Sequence, residues 1–85
     1  VVLVRAYVLF EVDPAAEGVL ERLTHHSLGN CKVLASQLYP EEIVAGLEAD
    51  GFEAEALENF NAAVAELVGE AGVRRATTLG ISLTP

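Results

Sequence analysis

Basic residues are scarce in this sequence: five Lys and Arg stand against thirteen Asp and Glu, a formal net charge of −8. A surface of that sign repels a phosphate backbone, so direct nucleic-acid binding is not expected. Cysteine is nearly absent. The single Cys31 excludes an internal disulfide and fits a reducing compartment; at the start of a strand it reads as a small buried residue rather than a nucleophile. Long apolar runs are missing too. The longest are of strand length and broken by Arg5 or Glu11, far from the roughly 20 residues of a membrane span, so no membrane partner is expected. The basic start, apolar core and small-residue cleavage site of a signal peptide are not seen. A soluble, cytoplasmic protein is the expectation. No G-x-G-x-x-G, Walker loop or G-x-S-x-G occurs, so no cofactor is implied and no local motif advertises catalysis.

What the sequence has in quantity is apolar surface: 52% hydrophobic residues and a mean hydropathy of +0.38. Its 85 residues make a single domain over 1–85, and a chain of that size buries only somewhat more than about 60% of the surface its unfolded form exposes. Self-association is the natural outlet.

Residues 2 to 12 alternate. Val2, Val4, Ala6, Val8, Phe10 and Val12 point one way, and Leu3, Arg5, Tyr7, Leu9 and Glu11 the other, the period of a strand. The second face is itself apolar in its middle, whereas a strand with one side in water would be polar there. "VDPAAEGVLERL" predicts a helix, with Asp13 as cap, Pro14 at the first helical position and Glu17 near the positive end of the dipole. Ala16, Val19, Leu20 and Leu23 share its apolar face, Glu17, Glu21 and Arg22 face water, and Gly29 or Asn30 ends it.

Lys32 to Leu38 and Ile43 to Ala49 predict a hairpin, the second strand placing Ile43, Ala45, Leu47 and Ala49 against Val44, Gly46 and Glu48. Its turn, "SQLYPEE", lacks the Asn-Gly or Asp-Gly of the tightest reversals. From about Glu53 to Val68 the residues Leu57, Phe60, Val64, Leu67 and Val68 recur at helical spacing, and Gly69 stops that helix. Val73 to Leu83 then alternates as a last strand. The order βαββαβ predicts an α+β ferredoxin-like sandwich: a four-stranded antiparallel sheet with two helices on one face. The bare far face predicts pairing of two copies, sheet against sheet.

Three clusters could carry chemistry. His25-His26 invite a metal, but neighbours on a helix diverge by about a hundred degrees and no further His or Cys stands at zinc-site spacing; no metal is expected. Glu41-Glu42 could form a general acid, yet a turn leaves carboxylates solvated. Arg74-Arg75 read as ion pairs with the acidic surface.

Strand, helix, hairpin, acidic helix and then "GVRRATT" resemble the effector-binding, oligomerising domain of the Lrp/AsnC regulators, the RAM domain, in its stand-alone form without a helix-turn-helix. The resemblance covers nearly the whole chain, from "AYVLFEVDPAAEGVLERL" through "YPEEIVAGLEAD" to "LVGEAGVRRATTLGISL". Gly72, Val73 and Thr78 match the family's last strand, with Ala76 at its first hydroxyl place. At the hairpin the family carries a glycine, one residue, an aromatic and then an aspartate; here Tyr39 matches the aromatic, but Leu38 precedes it and Pro40-Glu41 follows, without that glycine or aspartate, and "GNC" replaces the usual "GV" before the second strand.

The resemblance implies a non-enzymatic module linked to transcriptional regulation: a dimer with facing sheets, extending to larger oligomers, that holds small effectors such as amino acids between subunits. Tyr39, Glu41 and Thr78 are the implied ligand-binding residues. Two alternatives share the scaffold. One is a small oxygenase- or isomerase-like enzyme of the dimeric α+β barrel type, with Tyr7, His25, His26 and Glu41 as residues to mutate. The other is an ACT-like regulatory domain, whose Asp-x-Pro-Gly helix start reads "VDPAAEG" here.

Overall fold

Alternating β-branched and aromatic residues in the first eleven described positions set the frame. In the computed structural model, which describes residues 2–24 and 31–85, they form strand β1, Val2–Val12, at the centre of the sheet. Helix α1 (Val19–Thr24), strand β2 (Cys31–Tyr39), strand β3 (Glu42–Gly51), helix α2 (Glu53–Val68) and strand β4 (Val73–Thr84) follow. The sheet runs β2-β3-β1-β4 with every neighbouring pair antiparallel. This is a small α+β domain whose order and strand arrangement are consistent with a ferredoxin-like fold. His25, His26 and the Gly29–Asn30 helix stop lie outside the described residues.

One face of the sheet carries the core. Val4, Ala6, Val8, Phe10 and Val12 of β1 and Ile43, Ala45, Leu47 and Ala49 of β3 are buried, as the alternation predicts. They pack with Val19 and Leu23 of α1 and with Ala56, Phe60, Ala63 and Leu67 of α2, so both helices cover the same face. Helix α2 has the predicted bounds, but its buried stripe is centred on two alanines that the reading of large apolar residues passed over. Small side chains there let the helix axis approach the sheet while Phe60 and Leu67 fill the flanks. Val68, counted to the stripe from sequence, is exposed.

The first helix begins later than predicted. Asp13 does not cap it: its Oδ1 accepts the Ala15 N–H at 2.9 Å and its carbonyl accepts the Ala16 N–H at 3.0 Å, closing a local turn around Pro14. Asp-Pro satisfies its own backbone in a turn as readily as it starts a helix. Gly18 then takes φ +72°, and helical bonding starts from its carbonyl to the Arg22 N–H at 3.0 Å.

Arg22, expected to face water, instead ties the fold together. Its Nη1 donates to the Glu17 carbonyl at 2.8 Å and its Nη2 to the Ala71 carbonyl at 2.6 Å, with Glu70 Oε2 3.4 Å from Nε. A guanidinium fork suits this task because it serves several oxygens in one plane. Each charge-assisted bond is worth about 1.5–3 kcal/mol when protected, and the side chain is 39% exposed. Allowing for solvent screening, Arg22→Ala is expected to lower stability by about 1–2 kcal/mol, with Arg22→Lys recovering little of it. Urea denaturation followed by circular dichroism measures this; an unchanged midpoint would refute the clamp.

Strand β4 departs from simple alternation. Its pairing with β1 slips at two bulges, one between Tyr7 and Val8 and one between Glu11 and Val12. Leu79 and Arg74 are the extra residues, so Val73, Ala76, Thr78, Ile81 and Leu83 stand opposite core residues of β1, while Arg75, Thr77, Gly80 and Ser82 stand opposite its other face. Bulges are frequent at sheet edges. Because each one shifts the period by a residue, residues that strict alternation over Val73 to Leu83 would put on one face are divided between the two.

Candidate functional site

The face of the sheet away from the helices is uncovered, and the antiparallel registers arrange its side chains in rows. Two central rows are mainly apolar or small: Leu34, Gly46, Tyr7 and Gly80 in one, Ser36, Val44, Leu9 and Thr77 in the next. Charged rows close both ends. Lys32, Glu48 and Arg5 form one, with Arg5 Nε 3.2 Å from Glu48 Oε1; Glu42, Glu11 and Arg75 form the other, beside Tyr39, with Arg75 paired to Glu11.

Large and small residues alternate along the Tyr7 row. Tyr7 is 63% and Leu34 74% exposed, and each is followed by a glycine. Between them a trough of about 430 Å³ runs over Gly46, bounded by Arg5, Lys32 and Glu48. A Cβ at Gly46 would lie 3.7 Å from the Tyr7 ring, and one at Gly80 would meet nothing within 4 Å. Glycine inside a strand weakens it unless something approaches closely. Neither glycine has a positive φ, so backbone conformation does not explain them.

The hairpin turn lies at the opposite end of β2. Tyr39-Pro40-Glu41-Glu42 reverses with Pro40 and Glu41 at its centre, and neither has positive φ. Proline's fixed φ suits the second position of an ordinary turn and rules out the primed turns that match strand twist. The mismatch is absorbed by a slip in the ladder between Gln37 and Tyr39. Gln37 clamps the result, its Nε2 donating to the Tyr39 carbonyl and, at 3.2 Å, to the Glu42 carbonyl. The Glu41 carbonyl accepts the Val12 N–H at 2.8 Å, fastening the turn to β1. Two shallow hollows flank it. One, about 330 Å³, lies between Pro40 and the start of α1; the other, about 260 Å³, is lined by Glu11, Val12, Glu41, Glu42 and Arg74.

Tyr39 and Glu41 therefore share one corner, both exposed. Thr78 does not join them: it stands opposite Val8 on β4, three strands away, about 14 Å across the sheet. Arg74 and Arg75 form ion pairs, Arg74 with Asp13 at 3.6 Å and Arg75 with Glu11. No polar or charged side chain is buried among the described residues, and no group of three or more His, Cys, Asp or Glu there could hold a metal. No helix among them is long and apolar enough to cross a membrane.

Cys31 is buried on the helix face, opposite Ala49. Burial pushes its thiol above the ordinary value, against a smaller opposing effect of a backbone hydrogen bond at Glu48. The folded state prefers the protonated thiol, so the stability tied to it is complete below about pH 8.5 and is lost as pH rises through the raised folded value. Equilibrium unfolding of the wild type and Cys31→Ala between pH 8 and 10 is expected to show the wild type losing more stability across that window. Equal slopes would contradict a buried, protonated thiol.

Sequence reading missed Gly46, Gly80 and Gln37. The signal was available for the glycines: two of them in strands, each falling in register with the one tyrosine of β1. No known family model and no curated protein matches the chain.

Proposed function

We propose that this domain is a non-enzymatic assembly and sensing module: it self-associates through the open sheet face and binds a small metabolite, of amino-acid type, where subunits meet near Tyr39, Glu41 and Thr78. The observation that carries the reading is the bare face itself. Leaving Tyr7 and Leu34 in water on a chain this small costs burial energy of about 25 cal/mol per Å² of apolar area, and such a patch on a soluble domain marks an interaction surface. The resemblance to the Lrp/AsnC effector-binding domain supports the same use. With a net charge of −8, an effect on transcription would run through a DNA-binding chain to which the domain belongs or with which it assembles.

A cleft enzyme would announce itself by an enclosed cavity holding a buried histidine or carboxylate of shifted pKa. The described residues offer shallow hollows and, as their buried ionisable group, the Cys31 thiol, so no observation favours that reading.

Sedimentation velocity from about 1 to 100 μM tests assembly, with a dimer expected across the upper part of that range. Isothermal calorimetry against the proteinogenic amino acids tests sensing, with heat expected for a subset and lost in Tyr39→Ala/Glu41→Ala. A monomer throughout overturns the assembly role; a dimer that gives no heat with any amino acid overturns the sensing role alone.

A further inference from the structure

The two outer strands of the sheet, β2 and β4, each offer a row of backbone N–H and C=O groups to whatever lies beside them. Proteins blunt such edges with charge, above all lysine, with proline and with irregular pairing, because a bare edge templates another strand. β2 is blunted: Lys32 stands in it, and its ladder slips between Gln37 and Tyr39. The first half of β4 is blunted by Arg74, Arg75 and a bulge. Its second half, residues 78–84, is not. Those seven residues hold no charge and no proline, the composition of segments that pair with copies of themselves.

Their order identifies the partner. Thr78-Leu79-Gly80-Ile81-Ser82-Leu83-Thr84 reads the same from either end about Ile81, except that small Gly80 answers small Ser82. When a strand pairs antiparallel with its own copy, each residue meets the one equally far beyond the two-fold axis. A palindromic strand is therefore complementary to itself. With the axis at Ile81, that side chain meets its own counterpart, Leu79 meets the partner's Leu83, and Thr78 meets the partner's Thr84. Sliding the pair by two residues breaks the aliphatic matches, because Leu83 then meets the partner's Thr77 or Leu79 the partner's Pro85. A slip of one residue sends matching side chains to opposite faces.

We propose that residues 78–84 pair antiparallel with the same segment of a second copy, joining two four-stranded sheets edge to edge with Ile81 on the two-fold axis. This contact is separate from the open face. The axis stands perpendicular to the sheet, so both helix layers lie on one side and the open faces run on into each other. Counted back from Leu83, the side chains of Leu83, Ile81 and Leu79 fall on the helix side. Ile81 and Leu83 stand opposite Ala6 and Val4, which are buried, yet all three aliphatic residues of β4 are exposed. The helices do not cover them; the edge pair does, setting three aliphatic side chains of each copy against three of the other. Matched cross-strand pairs are each worth about 0.2–1 kcal/mol. Charge agrees, since β4 has no carboxylate and holds Arg74 and Arg75, two of the five basic residues of a chain whose net charge is −8. At about 3.4 Å per residue the contact runs for roughly 24 Å. That is small for a specific interface, and association is expected at micromolar rather than nanomolar concentration.

Cross-linking reads the register. Opposite residues of an antiparallel pair are close enough for a disulfide, and residues offset along the strand are not. In a Cys31→Ala background, Ile81→Cys is expected to form a linked dimer under mild oxidation about tenfold faster than Leu83→Cys, whose position is also exposed. The double variant Leu79→Cys/Leu83→Cys should regain the faster rate. Ile81→Lys places two like charges on the axis and, at an exposed edge position, should fold with wild-type circular dichroism. In sedimentation equilibrium it is expected to weaken one association step by tenfold or more, taking a tetramer to a dimer if the open face also pairs, or a dimer to a monomer if it does not. Tyr7→Glu, on the open face, should leave linkage through position 81 unchanged. Equal linkage rates for Ile81→Cys and Leu83→Cys, or an Ile81→Lys protein that sediments as wild type, overturn the edge pair and leave assembly through the open face standing. Loss of linkage at position 81 in Tyr7→Glu overturns it too, because the edge contact would then depend on the face.

Discussion

Replacing Gly72 by valine is expected to lower stability by about 3 kcal/mol or more, a fall in melting temperature of about 12–24 °C in a domain of this size. Two independent costs meet there. Gly72 has φ +91°, a conformation that is a genuine outlier for a β-branched residue. Its missing side chain is also where α1 sits: a Cβ would fall 2.8 Å from the Ala16 Cβ and 2.8 Å from the Val19 Cγ2. Neither neighbour can yield easily, since Val19 is buried in the core and the Gly72 carbonyl accepts the Asp13 N–H at 2.8 Å. Gly72→Ala keeps most of the penalty because the Cβ itself makes the clash. Gly80→Ala is the control: an added Cβ touches nothing, and its effect should stay within about 0.5 kcal/mol. Thermal unfolding monitored by circular dichroism separates these outcomes. A Gly72→Val protein within 1 kcal/mol of wild type would mean that the β4 entry does not pack against α1 as described.

Phe10→Ala is expected to cost about 3–5 kcal/mol. Phe10 is fully buried in the central strand, standing opposite Ile43 of β3 and Ala76 of β4. Small neighbours such as Ala76 cannot expand to fill the void, so the cavity term adds to the lost transfer energy. The total stability of an 85-residue domain is about 4–13 kcal/mol, and a chain with an uncovered apolar face belongs in the lower half. The variant should therefore be substantially unfolded at 37 °C. Phe10→Leu, which keeps most of the volume, should cost less than about 1.5 kcal/mol. Measurements at several protein concentrations are needed because association adds stability by mass action. If Phe10→Ala kept the wild-type urea midpoint at every concentration, the described core would be wrong.

Much of this architecture is legible in the sequence because period decides face. The alternation of β1 and β3 named the buried residues of both strands, and the 3.6-residue spacing set α2 at Glu53–Val68. Where the reading slipped, a local alternative was as cheap as the regular structure. Asp13 could cap a helix or close a turn around Pro14; in the fold it closes the turn, and its N–H is held by the Gly72 carbonyl. In β4 the bulges at Arg74 and Leu79 change the count without leaving a mark in composition.

The candidate site was less legible. Tyr39 and Glu41 lie together at the hairpin corner and Thr78 does not, because sharing a site depends on which strands are neighbours and on register, and neither follows from spacing. Arg22 shows the same limit in another form. An arginine on a short amphipathic helix is ordinarily solvated, yet this one reaches Ala71, 49 positions away.

By itself the sequence determined the elements, the core face of the central strands, the excess of apolar surface and the acidic charge, since these depend on residue type and period alone. The tertiary structure decided what required two distant positions to meet: the Arg22 clamp, the necessity of glycine at position 72, and the register that sets Gly46 and Gly80 on either side of Tyr7. Side-chain identity fixes what a residue can do, and strand pairing fixes which residue it does it to.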